Sequence, residues 1–203
     1  VSSPARERAA RVRATPMSPE DRREALIAVT RPLLYDHGRM VTTRMIAEAA
    51  GVAEGTIFRV FDSKDELIDE TVARAFEPGD VLRRLEEISP ALPLRERMVA
   101  MTTVIQQRYL AVFGLMRALG AVGPPEHLAD RPTIRDGLAQ VNARLLALVE
   151  PDGPRFNRFP DEALRAWRLL TFAGSHQEIA DGELLTPTQI VDTILHGVLG
   201  EES

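Results

Sequence analysis

Cysteine is absent from this chain, lysine is almost absent, and long hydrophobic runs are missing. With no Cys among the 203 residues, a disulfide framework, a thiolate zinc site and a cysteine nucleophile are excluded. The absence of Cys fits a reducing, cytoplasmic compartment. No apolar run approaches the roughly 20 residues that span a bilayer. The arginines near the N-terminus are not followed by the apolar segment of a secretory signal. We therefore expect a cytoplasmic protein without a membrane partner.

Basic charge is carried almost entirely by arginine. Of the 25 basic residues, 24 are Arg, and the single lysine is Lys64. The 30 acidic residues give a formal net charge of -5, which excludes a uniformly basic nucleic-acid-binding surface but not a local one. Residues 1–64 hold 11 basic and 8 acidic residues, a net +3, whereas residues 65–203 hold 14 and 22, a net -8. Any DNA-facing part is therefore expected in the N-terminal third.

Apolar residues recur at helical spacing along most of the chain, and no period-two strand pattern is found. The fold is therefore predicted to be all-α. Residues 1–17 lack a hydrophobic stripe and are predicted to be a disordered, Arg-rich tail. Ser18, followed by Pro19 and two acids, is typical of a helix start. Pro32 lies inside this first helix and is expected to kink it.

Residues 42–61 have the pattern of two short helices joined by a tight corner. Gly51 suits the corner because glycine readily adopts the left-handed conformation. The second helix is short and leaves Thr56, Phe58 and Arg59 facing outward near its N-terminus. A helix docked in the DNA major groove needs such side chains there. The pattern predicts a DNA-binding helix-turn-helix, and the alternative is a purely structural corner.

The chain resembles the TetR family of transcriptional repressors over about residues 20–75. The residues that carry the resemblance match the family pattern in order and spacing: Thr43, Ile46, Ala47, Ala50, Gly51, Val52, Gly55, Thr56, Phe58, Phe61, Ser63, Lys64 and Leu67. The sequence departs from the pattern at Phe58, where the family usually has Tyr, at Glu54, where a small or polar residue is usual, and at Pro32. Phe58 lacks the hydroxyl that would bond phosphate but retains contact with a thymine methyl group.

The resemblance implies DNA contacts for five residues of the helix-turn-helix. Thr43 would contact phosphate, and Arg44 would reach phosphate or a base edge. Thr56 and Arg59 would face the groove, with Arg59 the best candidate for reading guanine. Phe58 would pack on sugar or methyl groups. Ordinary solvated side chains are the alternative for Arg44 and Arg59.

Lys64 has a physical argument of its own. Ser63 and Glu66 form a capping box that begins a further helix, which places Lys64 in its first turn. A cation there opposes the helix dipole, whereas the free N–H groups of a helix start attract an anion. We therefore predict that Lys64 binds a DNA phosphate. The arginines of the N-terminal tail would either enter the minor groove or belong to a loose tail.

The resemblance implies a domain division and two further partners, a second copy of the chain and a small-molecule effector. Residues 18–64 are predicted to form a three-helix helix-turn-helix DNA-binding domain, and residues 65–203 a larger helical domain for ligand binding and dimerisation. The last two predicted helices carry broad apolar stripes, which favour a four-helix homodimer bundle over a monomer core. The predicted dimerisation residues are Trp167, Leu170, Gly174, Ile190, Val191, Ile194, Leu195 and Val198.

A set of Met, aromatic and polar residues is predicted to line the effector cavity. Methionine is adaptable and suits such a cavity, although the same spacing also fits a plain hydrophobic core. The predicted ligand-binding residues are Met98, Met101, Thr102, Ile105, Tyr109, Phe113, Met116, Asn142, Phe172 and His176.

No sequence motif for catalysis, cofactor binding or metal binding is found: a Gly-rich phosphate loop and His-Glu zinc spacing are both lacking. The sequence therefore predicts a non-enzymatic, homodimeric repressor that binds double-stranded, palindromic operator DNA and is released by a small-molecule inducer. The alternative is a helical ligand-binding or adaptor protein without operator binding, which Glu54 and the modest +3 charge would favour. A small helical enzyme has no supporting motif.

Overall fold

The computed structural model describes residues 17–123, 125–156 and 160–196, and this part of the chain is helical without strands. The prediction of an all-α fold is confirmed. Residues 1–16 of the predicted tail and the predicted dimerisation residue Val198 lie outside the described residues. The α-helices within them are α1 (Pro19–His37), α2 (Thr43–Ala50), α3 (Lys64–Phe76), α4 (Gly79–Glu86), α5 (Leu94–Ala118), α6 (Glu126–Ala129), α7 (Pro132–Val149), α8 (Pro160–Ser175) and α9 (Pro187–His196).

Helix α1 begins and ends where local chemistry dictates. The Ser18 hydroxyl accepts a hydrogen bond from the Asp21 backbone N–H at 3.0 Å, so the predicted N-cap is confirmed. The helix continues through Pro32 to His37. Gly38 ends it with φ of +52°, and a Cβ there would lie 2.1 Å from the carbonyl oxygen of Ala118 in α5. Glycine is therefore required where the end of α1 touches the end of α5.

The first hydrophobic core joins α1, α2 and α3. Its central side chains, all at most 1% exposed, are Leu26, Leu34, Ile46, Ile57, Phe61 and Leu67. The C-terminal end of α5 also contributes Leu115 and Met116 to this core. Helix α3 follows the predicted domain boundary at residue 64, yet its apolar face packs on α1. By packing, the N-terminal unit extends through α3.

The second core is built by α4, α5, α7, α8 and α9. Helix α9 lies against both α5 and α8. At the centre, the indole N–H of the fully buried Trp167 donates to the Thr102 hydroxyl at 2.7 Å. Among the described helices, none is both long and apolar enough to cross a membrane.

Candidate nucleic-acid interface

The corner after α2 is closed by glycine. Gly51 adopts the left-handed conformation with φ of 66° and ψ of 31°. Its N–H bonds the Glu48 carbonyl at 3.2 Å, and the next N–H, from Val52, bonds the Ala47 carbonyl at 3.0 Å. These bonds satisfy the free carbonyls at the end of α2. The following segment, Glu54–Arg59, is a 3-10 helix, shorter and tighter than the expected α-helix. We call it the recognition segment.

The recognition segment has one buried and one open side. Ile57 is fully enclosed in the first core. Phe58 is 52% exposed, Arg59 is exposed and Thr56 is half-buried. Within the described residues, the Arg59 side chain forms no hydrogen bond or ion pair. Because buried Ile57 fixes the orientation of the segment, the three predicted contact residues lie away from the core.

Two other predicted DNA contacts are paired with acids in the free protein. The Thr43 hydroxyl donates a hydrogen bond to the Glu54 carboxylate. Arg44 Nε lies 2.9 Å from Glu48 Oε1, and this hydrogen bond raises the pKa of the guanidinium. The Arg44 and Glu48 side chains are 81% and 66% exposed, so their pair contributes little stability. The pairs are therefore free to exchange for phosphate.

Lys64, in the first turn of α3, reaches toward the start of α2. Its Nζ donates to the carbonyl oxygen of Val41, just before α2, at 3.2 Å. The adjacent Ser63 hydroxyl caps α3 by accepting from the Glu66 N–H at 3.1 Å. The bond to Val41 is an intrachain reason for this lysine that the sequence argument did not anticipate. An ammonium has three donors, so two remain for an anion beside the positive N-terminus of α3.

Arg23 of α1 holds the end of the recognition segment, and sequence reasoning missed it. Its guanidinium donates to the Val60 carbonyl at 3.1 Å and to Glu66 Oε1 at 3.0 Å. Its Cζ lies 4.2 Å from the centroid of the Phe61 ring. The pKa of the Glu66 carboxyl is lowered, mainly by the hydrogen bond from the Asp62 backbone N–H and also by the one from Arg23. No local motif marks Arg23, because its partners lie 37 and 43 positions away in the sequence.

The predicted effector residues fall into separate groups. Met98, Met101, Thr102 and Ile105 are buried in the second core, and the Thr102 hydroxyl is occupied by Trp167 and the Met98 carbonyl. Met116 belongs to the first core instead, because the end of α5 lies against the N-terminal unit. The structure therefore does not bring the predicted set together around one space.

The remaining effector residues form an aromatic cluster between α5 and α8. The Phe113 centroid lies 5.0 Å from that of Phe172 and 4.7 Å from that of His176. Tyr109 stacks on Phe113 at 5.9 Å, and burial raises the pKa of its phenol. Asn142 is exposed on α7 and accepts a hydrogen bond from Arg168 at 2.6 Å. We call Tyr109, Phe113, Phe172 and His176 the aromatic cluster.

The predicted dimerisation residues lie mostly inside one chain. Trp167, Ile190 and Val191 are fully buried, and a Cβ on Gly174 would lie 2.9 Å from the Leu185 side chain. Three others, Leu170, Ile194 and Leu195, are partly buried against the second core. The breadth of the α9 stripe is explained by its two intrachain neighbours, α5 and α8. On α8 the outward apolar side chain is instead Leu169, which is 63% exposed, whereas Phe172, 41% exposed, belongs to the aromatic cluster.

Similarity to known sequences agrees with this geometry. Residues 26–71 match the family model of bacterial regulatory proteins, tetR family. The HTH-type transcriptional repressor KstR2 of Mycolicibacterium smegmatis is 34% identical over 59 residues, 29% of each chain. The KstR2 repressor of Rhodococcus jostii is 32% identical over 83 residues, 40% of each chain. These alignments therefore span well under half of the length of the curated relatives.

Solved structures resemble the chain over most of its length. The transcriptional regulator FadR of Bacillus subtilis, in complex with stearoyl-CoA, has a TM-score of 0.60 at 15% identity and covers 87% of this chain and 99% of its own. A tetR-family transcriptional regulator of Streptomyces coelicolor has a TM-score of 0.58 at 21% identity and covers 89% of this chain and 79% of its own. At these identities the likeness concerns the fold.

The matched segment coincides with the structural unit formed by α1, α2, the recognition segment and α3. The overall helical architecture is shared with structures of the same family. The match to a family of regulatory proteins agrees with the prediction that the chain is not an enzyme. The N-terminal unit therefore matches the tetR family of bacterial regulatory proteins, and the helical architecture of the chain resembles that of solved regulators.

Proposed function

We propose that the protein is a transcriptional repressor that binds duplex DNA through the recognition segment. The exposed and unpaired guanidinium of Arg59, within the described part of the chain, carries this proposal. It stands beside Thr56 and Phe58 on a segment that buried Ile57 orients. Arg59 binds the O6 and N7 atoms of guanine, and Phe58 packs against a thymine methyl group. A side chain without an intrachain partner is available for such a contact without first breaking a bond.

Phosphate contacts flank this base-reading group. Lys64 lies in the first turn of α3, where free N–H groups and its ammonium attract an anion. Thr43 and Arg44 reach the backbone after exchanging the Glu54 and Glu48 carboxylates for phosphate. These contacts supply affinity and register, whereas Arg59 supplies sequence preference.

We propose a homodimer that places two recognition segments on a palindromic operator. Leu169 is 63% exposed on the outer face of α8, where a second copy of the chain can cover it. A two-fold contact between α8 helices buries this side chain in both copies. Half-sites about one helical turn apart, roughly 34 Å, then match the two N-terminal domains.

We propose that a small-molecule effector binds beside the aromatic cluster and releases the DNA. The Nδ1 atom of His176 is buried and has no hydrogen-bond partner among the described residues. A buried polar atom without a partner is costly, and a ligand that bonds it removes that cost. The FadR structure of similar fold contains stearoyl-CoA, which supports an effector with an apolar portion for this chain as well.

Duplex DNA from the region flanking the chain's own gene tests the DNA-binding proposal by fluorescence anisotropy. Arg59→Ala is expected to weaken binding about ten-fold or more, because a bidentate guanine contact contributes about 1–3 kcal/mol. Arg135→Ala, which removes an exposed arginine from α7, is the matched control and is expected to bind normally. Equal binding by Arg59→Ala, or no salt-dependent binding by the wild type, would contradict the proposal. The latter result would favour a helical ligand-binding protein without an operator.

Sedimentation equilibrium tests the homodimer. Leu169→Glu places a charge on the proposed α8 contact and is expected to convert a dimer to a monomer. Met40→Glu exchanges another exposed apolar residue, 81% exposed in the N-terminal unit, for the same acid and is expected to remain dimeric. A monomeric wild type would refute the dimer, and a dimeric Leu169→Glu variant would refute the proposed contact.

A further inference from the structure

A cleft of about 450 Å³ opens where the N-terminal unit meets α4 and α5. Four helices each contribute one arginine to its lining: Arg31 from α1, Arg74 from α3, Arg84 from α4 and Arg108 from α5. The other lining residues are Ala75, Glu77, Gly79, Asp80, Val81, Gln107 and Ala111. The cleft therefore contains twice as many basic as acidic side chains.

Both acids of the cleft already have partners. Glu77 Oε2 lies 2.6 Å from a nitrogen of Arg74. Asp80 Oδ1 lies 2.7 Å from a nitrogen of Arg83, which is not part of the lining. In the described structure, no ion pair engages Arg31, Arg84 or Arg108. Arg84 instead donates to the amide oxygen of Gln107 at 2.5 Å. Three guanidinium groups thus retain uncompensated positive charge.

Arg108 is bonded to backbone carbonyls in the wall of the cleft. It donates to the Phe76 carbonyl at 2.6 Å and to the Glu77 carbonyl at 3.3 Å, where α3 passes into α4. Burial lowers the pKa of Arg108 because the charged form loses water. Removing a charge from water without an opposite charge nearby is unfavourable, so an anion beside Arg108 would recover part of that loss.

We infer that this cleft binds a small ligand bearing phosphate or carboxylate groups, held by Arg31, Arg84 and Arg108. Its volume falls within the range of small-molecule sites. Guanidinium groups suit the ligand because their planar N–H pairs match phosphate and carboxylate oxygens. The site is separate from the aromatic cluster, and its three arginines belong to α1, α4 and α5. A bound anion therefore joins the N-terminal unit to the second core.

Isothermal titration calorimetry of the full chain tests the site without DNA. Pyrophosphate and citrate are the probes, at constant ionic strength maintained with sodium chloride. Pyrophosphate carries phosphate groups and citrate carries carboxylates, so the probe that binds more tightly identifies the group that the cleft prefers. We expect saturable binding of at least one probe, with one ligand per chain.

The double variant Arg31→Ala, Arg84→Ala is expected to weaken that binding about ten-fold or more, since each charge-assisted hydrogen bond contributes strongly. Arg117→Ala removes an exposed arginine from the end of α5, outside the cleft, and is expected to bind like the wild type. Circular dichroism establishes that each variant is folded. No saturable binding of either probe, or equal binding by the folded double variant, would overturn the inference.

An effect of this anion on DNA affinity rests on the proposed function. We expect the tighter probe to change duplex affinity about five-fold or more in the wild type and not in the double variant. The two proposals fail in different ways. Probe binding without any DNA binding overturns the proposed repressor but preserves the anion site, whereas DNA binding without probe binding overturns the anion site alone.

Discussion

Replacement of Gly38 by alanine tests the contact between α1 and α5. Gly38 has φ of +52°, and an added Cβ would lie 2.1 Å from the Ala118 carbonyl oxygen. At this φ, combined with its ψ of -136°, a residue with a Cβ is strained by about 1–3 kcal/mol. To separate the added Cβ from the Ala118 carbonyl, the helix backbone must shift, which costs roughly a further 1–3 kcal/mol of folding free energy. We therefore expect Gly38→Ala to lower the free energy of unfolding by about 3 kcal/mol.

Urea unfolding followed by far-ultraviolet circular dichroism measures this change. Gly55→Ala is the matched control, because a Cβ at Gly55 would have no atom within 4 Å and its φ is not positive. The control is expected to change stability by no more than about 0.5 kcal/mol. If Gly38→Ala were as stable as the control, the contact between α1 and α5 would accommodate a Cβ at little cost, and the reasoning would be refuted.

Three further substitutions test the interface and the second core. Lys64→Ala is expected to weaken binding to all duplexes alike and to reduce the salt slope by about one in anisotropy titrations, whereas an unchanged slope would refute the phosphate contact. Glu54→Gln removes a carboxylate beside Thr43 and is expected to tighten DNA binding about two- to five-fold at low salt; weaker binding would indicate that Glu54 makes a favourable contact. Arg97 is 3% exposed and pairs with Asp152, so Arg97→Met is expected to lower the free energy of unfolding by about 3 kcal/mol in urea. A loss below about 1 kcal/mol would contradict that role.

Features encoded by neighbouring residues could be predicted from the sequence. The Ser18 and Ser63 caps bond N–H groups three positions away, and Gly51 closes its corner with carbonyls of the preceding turn. Such short-range chemistry is visible in a linear pattern. The outward orientation of the recognition segment was also predictable, because Ile57 alone among its apolar side chains is buried.

Features that depend on distant pairs could not be predicted. The Arg23 clamp joins α1 to the recognition segment and α3, and the Lys64 bond to Val41 spans 23 positions. The cap residues say nothing about which helices meet. The recognition segment is a 3-10 helix rather than an α-helix. Over only one or two turns, apolar residues three or four positions apart fit both kinds of helix, so the sequence pattern does not separate them.

The apolar stripe of α9 shows a second limit of sequence reasoning. A broad apolar stripe on a helix indicates that two other helices pack against it. The sequence alone does not show whether the second of them belongs to the same chain or to another copy. In the structure α5 and α8 supply both, and Ile190 and Val191 are enclosed without a partner copy. The proposed dimer contact therefore moves to the exposed side of α8, where Leu169 lies.

Selection of duplexes from a random-sequence pool by the full-length protein tests the central claim most directly. The account predicts enrichment of a palindrome with half-sites about one helical turn apart, each containing a guanine whose preference is lost in Arg59→Ala. Selected duplexes bind more tightly than the starting pool, and their affinity falls as salt rises. A pool that remains unenriched after selection, with binding no tighter than that of unselected DNA, would contradict sequence-specific recognition by this protein.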